Sequence, residues 1–171
     1  MNQKNIWSQR YESAGEDYLF GTEPNRFLAR RANLLQNGAT ALSIADGEGR
    51  NSVWLAEQGL RVTAVEIDRV SGRILKALYA PGGVDVRISP FEKTPLPDHW
   101  FDLVIGNVPF GKYKVADVSN RAYARFSIHN YFFGRALDLV RPGGLVCFIT
   151  SSHTMDAQYD AVREHIAAQA H

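Results

Sequence analysis

The stretch ALSIADGEGRNSVWLAEQGLRVTAVEID, residues 41–68, decides the fold. It opens with a short apolar run, ALSIA (41–45), of the length of a buried strand. The loop ADGEGRN (45–51) follows, with Gly47 and Gly49 free to take positive φ and to let backbone approach a ligand. RNSVWLAEQG (50–59) then reads as a helix closed by Gly59. RVTAVEI is a second strand, ending near Glu66. Strand, glycine loop, helix and strand in that order form a parallel βαβ unit. A glycine loop at a helix N-terminus suits a cofactor, although a tight turn that needs small residues reads the same. Glu66 sharpens the choice. It stands about 20 residues beyond the loop, the offset of a carboxylate that accepts ribose hydroxyls. Asp68 is better placed to cap the next helix.

Outward from this unit the alternation continues. SGRILKALYA is a helix stopped by Pro81-Gly82-Gly83, and VDVRI a third strand. PLPD is a loop, and FDLVIG a fourth strand. FSIHNYFFGRALDLV (126–140) is a helix whose Ile128, Phe132, Ala136 and Leu139 share a face. RPGG is read as a turn into LVCFIT, the fifth strand, and DAQYDAVREHIAAQA as the last helix. Upstream, PNRFLARRANLL is predicted as one helix, with Phe27, Leu28, Leu34 and Leu35 on one face. The expected fold is α/β, a doubly wound, mostly parallel Rossmann-like sheet, stopping after the fifth strand and one helix. The expected organisation is a single domain, with 1–36 as an N-terminal lid region and 37–171 as the α/β core. Ligands in such sheets bind outside the carboxyl ends of the strands.

The composition excludes several classes. The chain has 171 residues and a net charge of +1, so its global field favours neither nucleic acid nor membrane. No window reaches 18 apolar residues, and MNQKNIWSQR lacks a signal-peptide core. Cys147 is the only cysteine and is read as a buried structural thiol. No Cys/His group has metal-ligand spacing. The expected compartment is the cytoplasm.

ALSIADGEGRNSVWLAEQGLRVTAVE resembles motif I and the acidic position of class I S-adenosylmethionine-dependent methyltransferases. It is closest to the tellurite-resistance and thiopurine-type small-molecule branch. WSQRYESAGEDYLFGTEPNRFL resembles the same branch, in which such a segment folds over the cofactor. The resemblance makes Tyr18, Phe20, Gly21 and Thr22 lid candidates; an N-terminal helix packed on the sheet is the other reading. It implies S-adenosyl-L-methionine as cofactor, held by Ala45, Asp46, Gly47, Gly49, Glu66, Ile67, Phe91, Glu92 and Asn107. Phe91 and Glu92 fall where this class meets the adenine ring, although core packing explains Phe91 as well. Two positions depart from the pattern: Ser43 replaces an acid that attracts the cofactor's ammonium, and Ala45 replaces a glycine. A dinucleotide fits less well, because Ser52 interrupts the glycine fingerprint for pyrophosphate.

Over roughly residues 62–169 the chain is similar to the adenine-specific methylase domain of plasmid- and phage-encoded methylase/helicase proteins. The two resemblances meet near residues 59–66. Asn107-Val108-Pro109-Phe110 resembles the (Asp/Asn)-Pro-Pro-(Tyr/Phe) motif of amino-group methyltransferases, with Val108 for the first proline. The residue types suit that chemistry. The resemblance implies that Asn107 and the Val108 carbonyl accept the two N–H bonds of an exocyclic amine. Pro109 fixes the backbone, and Phe110 stacks on a flipped base. The loop GKYKVADVSNRAYARF carries Lys112, Lys114, Arg121 and Arg125 against Asp117 alone, with Tyr113 and Tyr123 interleaved. It reads either as phosphate contacts beside that clamp or as a solvated loop. His129 is read as structural, with general base as the other role.

The expected activity is methyl transfer to an exocyclic amine, N6 of adenine in DNA first. A small-molecule acceptor and a catalytically silent binding module are the alternatives. DNA is the expected macromolecular partner, without a recognition domain in the chain, and no membrane contact is expected.

Overall fold

Runs of β-branched and aliphatic residues set the strands, and glycines and prolines set their ends. The computed structural model describes residues 3–14, 17–79, 83–109, 111, 113–117, 119–150 and 161–170. The chain divides into two compact units, Met1–Thr94 and Pro95–His171. Together they carry the five strands of a parallel α/β sheet.

The first unit holds helix α1 (Gln3–Ala14), the single turn α2 (Arg26–Ala29), strand β1 (Thr40–Ile44), helix α3 (Arg50–Glu57), strand β2 (Arg61–Glu66), helix α4 (Arg69–Tyr79) and strand β3 (Val84–Ile88). β2 lies between β1 and β3, parallel to both, with Ile44 opposite Val65 and Glu66 opposite Ile88. Every residue of β1 is buried. Leu42, Ile44, Leu55 and Leu75 lose essentially all solvent contact, each contributing roughly 1.5–3 kcal/mol by burial. Asp68 caps α4 as expected, its Oδ1 accepting from the N–H groups of Val70 and Ser71 at 2.9 and 3.1 Å. α1 packs on α4, so an N-terminal helix on the sheet layer is present.

The helix predicted over residues 24–35 is not continuous. α2 ends after one turn, a 3-10 turn occupies Ala32–Leu34, and Leu35 is extended. Phe27 and Leu34 are 57% and 53% exposed, and only Leu28 of the supposed apolar face is buried. Without a surface to bury that face, so short a segment gains too little to propagate.

The second unit holds strand β4 (Phe101–Asn107), helix α5 (Ile128–Leu139), strand β5 (Val140–Ile149) and helix α6 (Ala161–Gln169). Ile128, Phe132, Ala136 and Leu139 are all buried, as their spacing predicted. RPGG is not a turn that precedes the strand: it lies within β5. Val140 pairs with Phe101 and Leu145 with Leu103, so the intervening residues form a bulge. Gly143 takes φ +78°, and a Cβ on Gly144 would lie 2.9 Å from the Asp102 carbonyl, so the glycines serve the bulge. Cys147 is half-buried rather than fully enclosed, and burial pushes its thiol up. The start of the last predicted helix, 156–160, lies outside the described residues.

Candidate active site

The first unit builds its site at the carboxyl ends of β1 and β2. Beyond Ile44 the chain turns at Ala45 with φ 52°, a left-handed conformation that an alanine adopts only under strain. This is the position at which the sequence pattern wanted glycine. Gly47 and Gly49 follow with φ 62° and 92°. Gly49 caps α3, and a Cβ there would come within 2.2 Å of a Leu75 methyl carbon. The loop is thus a cradle that larger residues would fill.

Asp46 is a buried carboxylate in contact with Ser43. The hydroxyls of Ser43 and Ser52 both donate to its carboxylate. Burial raises its pKa, and the two serines oppose that shift. Ser52, which spoils a dinucleotide fingerprint, therefore has a structural duty in this loop. Glu66 is 6% exposed. Its Oε2 accepts from the Gly47 N–H at 2.7 Å and its Oε1 from the Asp68 N–H at 2.7 Å. Burial pushes its pKa up to about 7 against those two amides, with Asp46 and Asp68 adding to the rise. Each carboxylate oxygen still has a second lone pair. Ile67 beside it is 44% exposed, whereas Phe91 is buried in the 3-10 turn Phe91–Lys93 and Glu92 is half-exposed.

The lid candidates lie on this loop. Glu48 Oε2 accepts from the Leu19 N–H at 2.9 Å, and Arg50 Nη1 donates to the Phe20 carbonyl at 3.1 Å. Asn51 Oδ1 accepts from the Asn25 N–H at 2.9 Å. Tyr18, Gly21, Thr22, Glu48, Arg50 and Trp54 are among the residues lining a cavity of about 210 Å³. Tyr11, which sequence reading missed, is buried and would meet a Gly47 Cβ with its hydroxyl at 2.7 Å. Its only sequence signal is the three-residue spacing from Ser8, whose hydroxyl donates to Asp68 Oδ2. The loop thus gathers the carboxylates of Asp46, Glu48 and Glu66, and its one cation, Arg50, donates to a main-chain carbonyl.

In the second unit the motif residues stand at the end of β4. Asn107 is the last strand residue, paired with Ile149, and is exposed. The Val108 side chain is buried, and its N–H donates to the Ile149 carbonyl at 3.2 Å. Pro109 is half-buried. Phe110 and Lys112 lie outside the described residues, as does the Arg121 side chain. Lys114 and Arg125 are exposed. Asp117 is bonded locally: its Oδ1 accepts from the N–H groups of Ser119 and Asn120, and its Oδ2 from the Tyr131 hydroxyl at 2.7 Å. Tyr123 turns inward, donating to Asp138 at 2.8 Å. The Tyr113 carbonyl accepts from the Ile128 N–H at 2.9 Å, which ties the loop to the start of α5. His129 is buried, with its Nε2 3.1 Å from the Ser127 hydroxyl. Among the described residues no group of acidic, histidine or cysteine side chains is arranged to hold a metal, and no helix is long and apolar enough to cross a membrane.

Comparison with known proteins places this geometry in a family. The family model described as Eco57I restriction-modification methylase matches residues 51–171. The Defense against restriction protein B of Escherichia phage P1 is 42% identical over 94 residues, which are 53% of this chain and 4% of that protein. The "Probable ribosomal RNA small subunit methyltransferase A" of Methanospirillum hungatei is 35% identical over 102 residues, 57% of this chain and 39% of that protein. The alignments thus span well under half the length of either relative. A TehB-like SAM-dependent methyltransferase from Corynebacterium glutamicum shares the fold at TM-score 0.59 and 13% identity, over 98% of this chain and 82% of that one. Phosphoethanolamine N-methyltransferase 2 of Haemonchus contortus does so at TM-score 0.62 and 16% identity, over 98% and 41%. The chain belongs to the Eco57I restriction-modification methylase family, within the S-adenosylmethionine-dependent methyltransferases.

Proposed function

We propose that this protein transfers a methyl group to the exocyclic amine of adenine in DNA, with Asn107, Val108, Pro109 and Phe110 as the acceptor clamp. The observation that carries the reading is the end of β4. Asn107 presents its amide to solvent while the adjoining Val108 is anchored by a buried side chain and by the Ile149 carbonyl. A side chain on so fixed a backbone is pre-organised to accept N–H bonds. The adenine amine is a poor nucleophile because its lone pair is delocalised into the ring. Asn107 Oδ1 and the Val108 carbonyl accept its two hydrogens and so localise the lone pair on nitrogen. Pro109 holds the carbonyl's direction, and Phe110 stacks on the extruded base.

S-adenosyl-L-methionine supplies an electrophilic methyl group. Ala45, Gly47 and Gly49 shape the loop that holds it, Asp46 faces its ammonium, and Glu66 accepts its ribose hydroxyls. Ile67, Phe91 and Glu92 meet its adenine ring. Lys114 and Arg125, with Lys112 and Arg121, contact phosphates. The proton leaves the methylated amine to solvent, so no strong base is required. The test is transfer of tritiated methyl to unmethylated DNA. Asn107→Ala is expected to lower the rate on the order of a hundredfold, far more than it lowers S-adenosylhomocysteine affinity measured by calorimetry. Labelling of a thiol or small amine, insensitive to Asn107→Ala, would instead support the small-molecule reading. That reading draws on the segment 18–25 fastened over the cofactor loop.

A further inference from the structure

We propose that the surface of Arg26, Phe27, Arg30 and Arg31 binds a single strand of nucleic acid, with the guanidiniums on its phosphates and Phe27 under an unpaired base. The inference stands apart from the acceptor assigned above, because it concerns binding by the first unit and not the clamp. Phe27 and Leu34 are large apolar side chains left 57% and 53% exposed, and they stand beside three arginines. Arg26, Arg30 and Arg31 are all exposed. Among the described residues no ion pair reaches any of them. From Pro24 to Ala45 the chain has no acidic residue. Glu23 stands just before the patch, and Asp46 beyond it is held by the hydroxyls of Ser43 and Ser52. A basic stretch without counter-charges is the footprint of a polyanion.

The backbone under this patch is fixed. Asn25 Oδ1 accepts from the Phe27 N–H at 2.9 Å, the Asn25 N–H donates to Asn51 Oδ1, and Leu28 is buried. Arg26 and Arg30 stand four residues apart through one helical turn, so they share a side. The Arg30 N–H donates to the Arg26 carbonyl at 3.1 Å, which closes that turn. Phe27 and Arg31 have the same spacing, and the Arg31 guanidinium lies 5.1 Å from the Phe27 ring centroid. Arginine forks match phosphate oxygens in pairs. An aromatic ring among arginines takes stacked bases from an unpaired strand. An anionic lipid surface is the rival occupant for basic and apolar side chains together. Lipid binding of that kind uses the continuous apolar face of a helix lying in the interface, and α2 is one turn long.

Fluorescence anisotropy of labelled oligothymidylate and oligouridylate, titrated with the whole protein at several salt concentrations, tests the surface. The triple variant Arg26→Gln, Arg30→Gln, Arg31→Gln is expected to lower the magnitude of the salt slope by about 2, the value for three single-strand phosphate contacts. The triple variant Arg69→Gln, Arg73→Gln, Lys76→Gln removes the same charge from exposed positions of α4 and is expected to leave the slope at the parent value. Phe27→Ala is expected to weaken binding about tenfold with the slope unchanged, and Phe27→Trp to bind as the parent does. Tighter binding of one oligonucleotide assigns the strand as DNA or RNA, and equal binding assigns the phosphate and stacking chemistry the two share. Equal loss from the two triple variants, parent-like binding by Phe27→Ala, or no binding by the parent overturns the surface and leaves the Asn107 clamp to its own test. Binding to phosphatidylserine vesicles in place of the oligonucleotides, abolished by the Arg26 triple variant, overturns it in favour of a lipid surface.

Discussion

At the scale of single residues, two positions carry opposite lessons. Ala45 takes φ 52° where glycine adopts that conformation freely, so Ala45→Gly is expected to stabilise the protein by about 1 kcal/mol, read from urea unfolding. Glu66 is a buried acid with its pKa pushed up to about 7. Its folded value lies above its unfolded one, so its contribution to stability is full below about pH 4.5 and is lost as pH rises to about 7. The thermal midpoint should fall across that window, and Glu66→Gln should flatten the slope. Ligand binding runs the other way. If ribose hydroxyls donate to ionised Glu66, S-adenosylhomocysteine affinity drops about tenfold per pH unit below 7 and levels off above it. Calorimetry at several pH values checks this, with Asp46, Glu48 and Asp68 as the other carboxylates facing the site. The position of Glu66 against the loop was readable because its offset follows from βαβ geometry. The bonds from Ser43 and Ser52 to Asp46 were not, because they depend on rotamers that spacing does not specify.

At the scale of elements, periodicity found the strands and the buried face of α5, and it failed where local signals competed with packing. RPGG is strong turn chemistry, yet β5 runs through it with a bulge because β4 offers pairing partners on both sides of the glycines. Residues 24–35 have helical spacing yet form only the single turn α2 and a 3-10 turn, because Phe27 and Leu34 stay exposed instead of burying a shared face. α5 shows the reverse. Gly134 lies mid-helix, where alanine would gain up to about 1 kcal/mol in propensity. A Cβ there would lie 2.6 Å from a Tyr123 ring carbon. Gly134→Ala is therefore expected to destabilise by about 1–3 kcal/mol and to loosen the loop that Tyr123 anchors. A lowered thermal midpoint with faster exchange of the Phe126 amide would show it.

At the scale of the whole molecule, a net charge of +1 leaves any DNA affinity to a local patch. Asp117 is held by Ser119, Asn120 and Tyr131, while Lys114 and Arg125 are exposed to solvent. Removing either by alanine should weaken binding evenly across DNA sequences and reduce the salt slope by about 1, measured by fluorescence anisotropy at several salt concentrations. The order of elements, the positive-φ glycines, the Asp68 cap and the two motif-bearing strand ends were determined by the sequence alone, since each follows from local sterics and hydrogen-bonding chemistry a few residues apart. Only the tertiary structure decided what covers them. Tyr11 over Gly47, Glu48 on Leu19 and Tyr123 on Gly134 join residues 11 to 36 positions apart, and no periodicity encodes such contacts. They arise from the surfaces that the packed helices and strands leave to be filled.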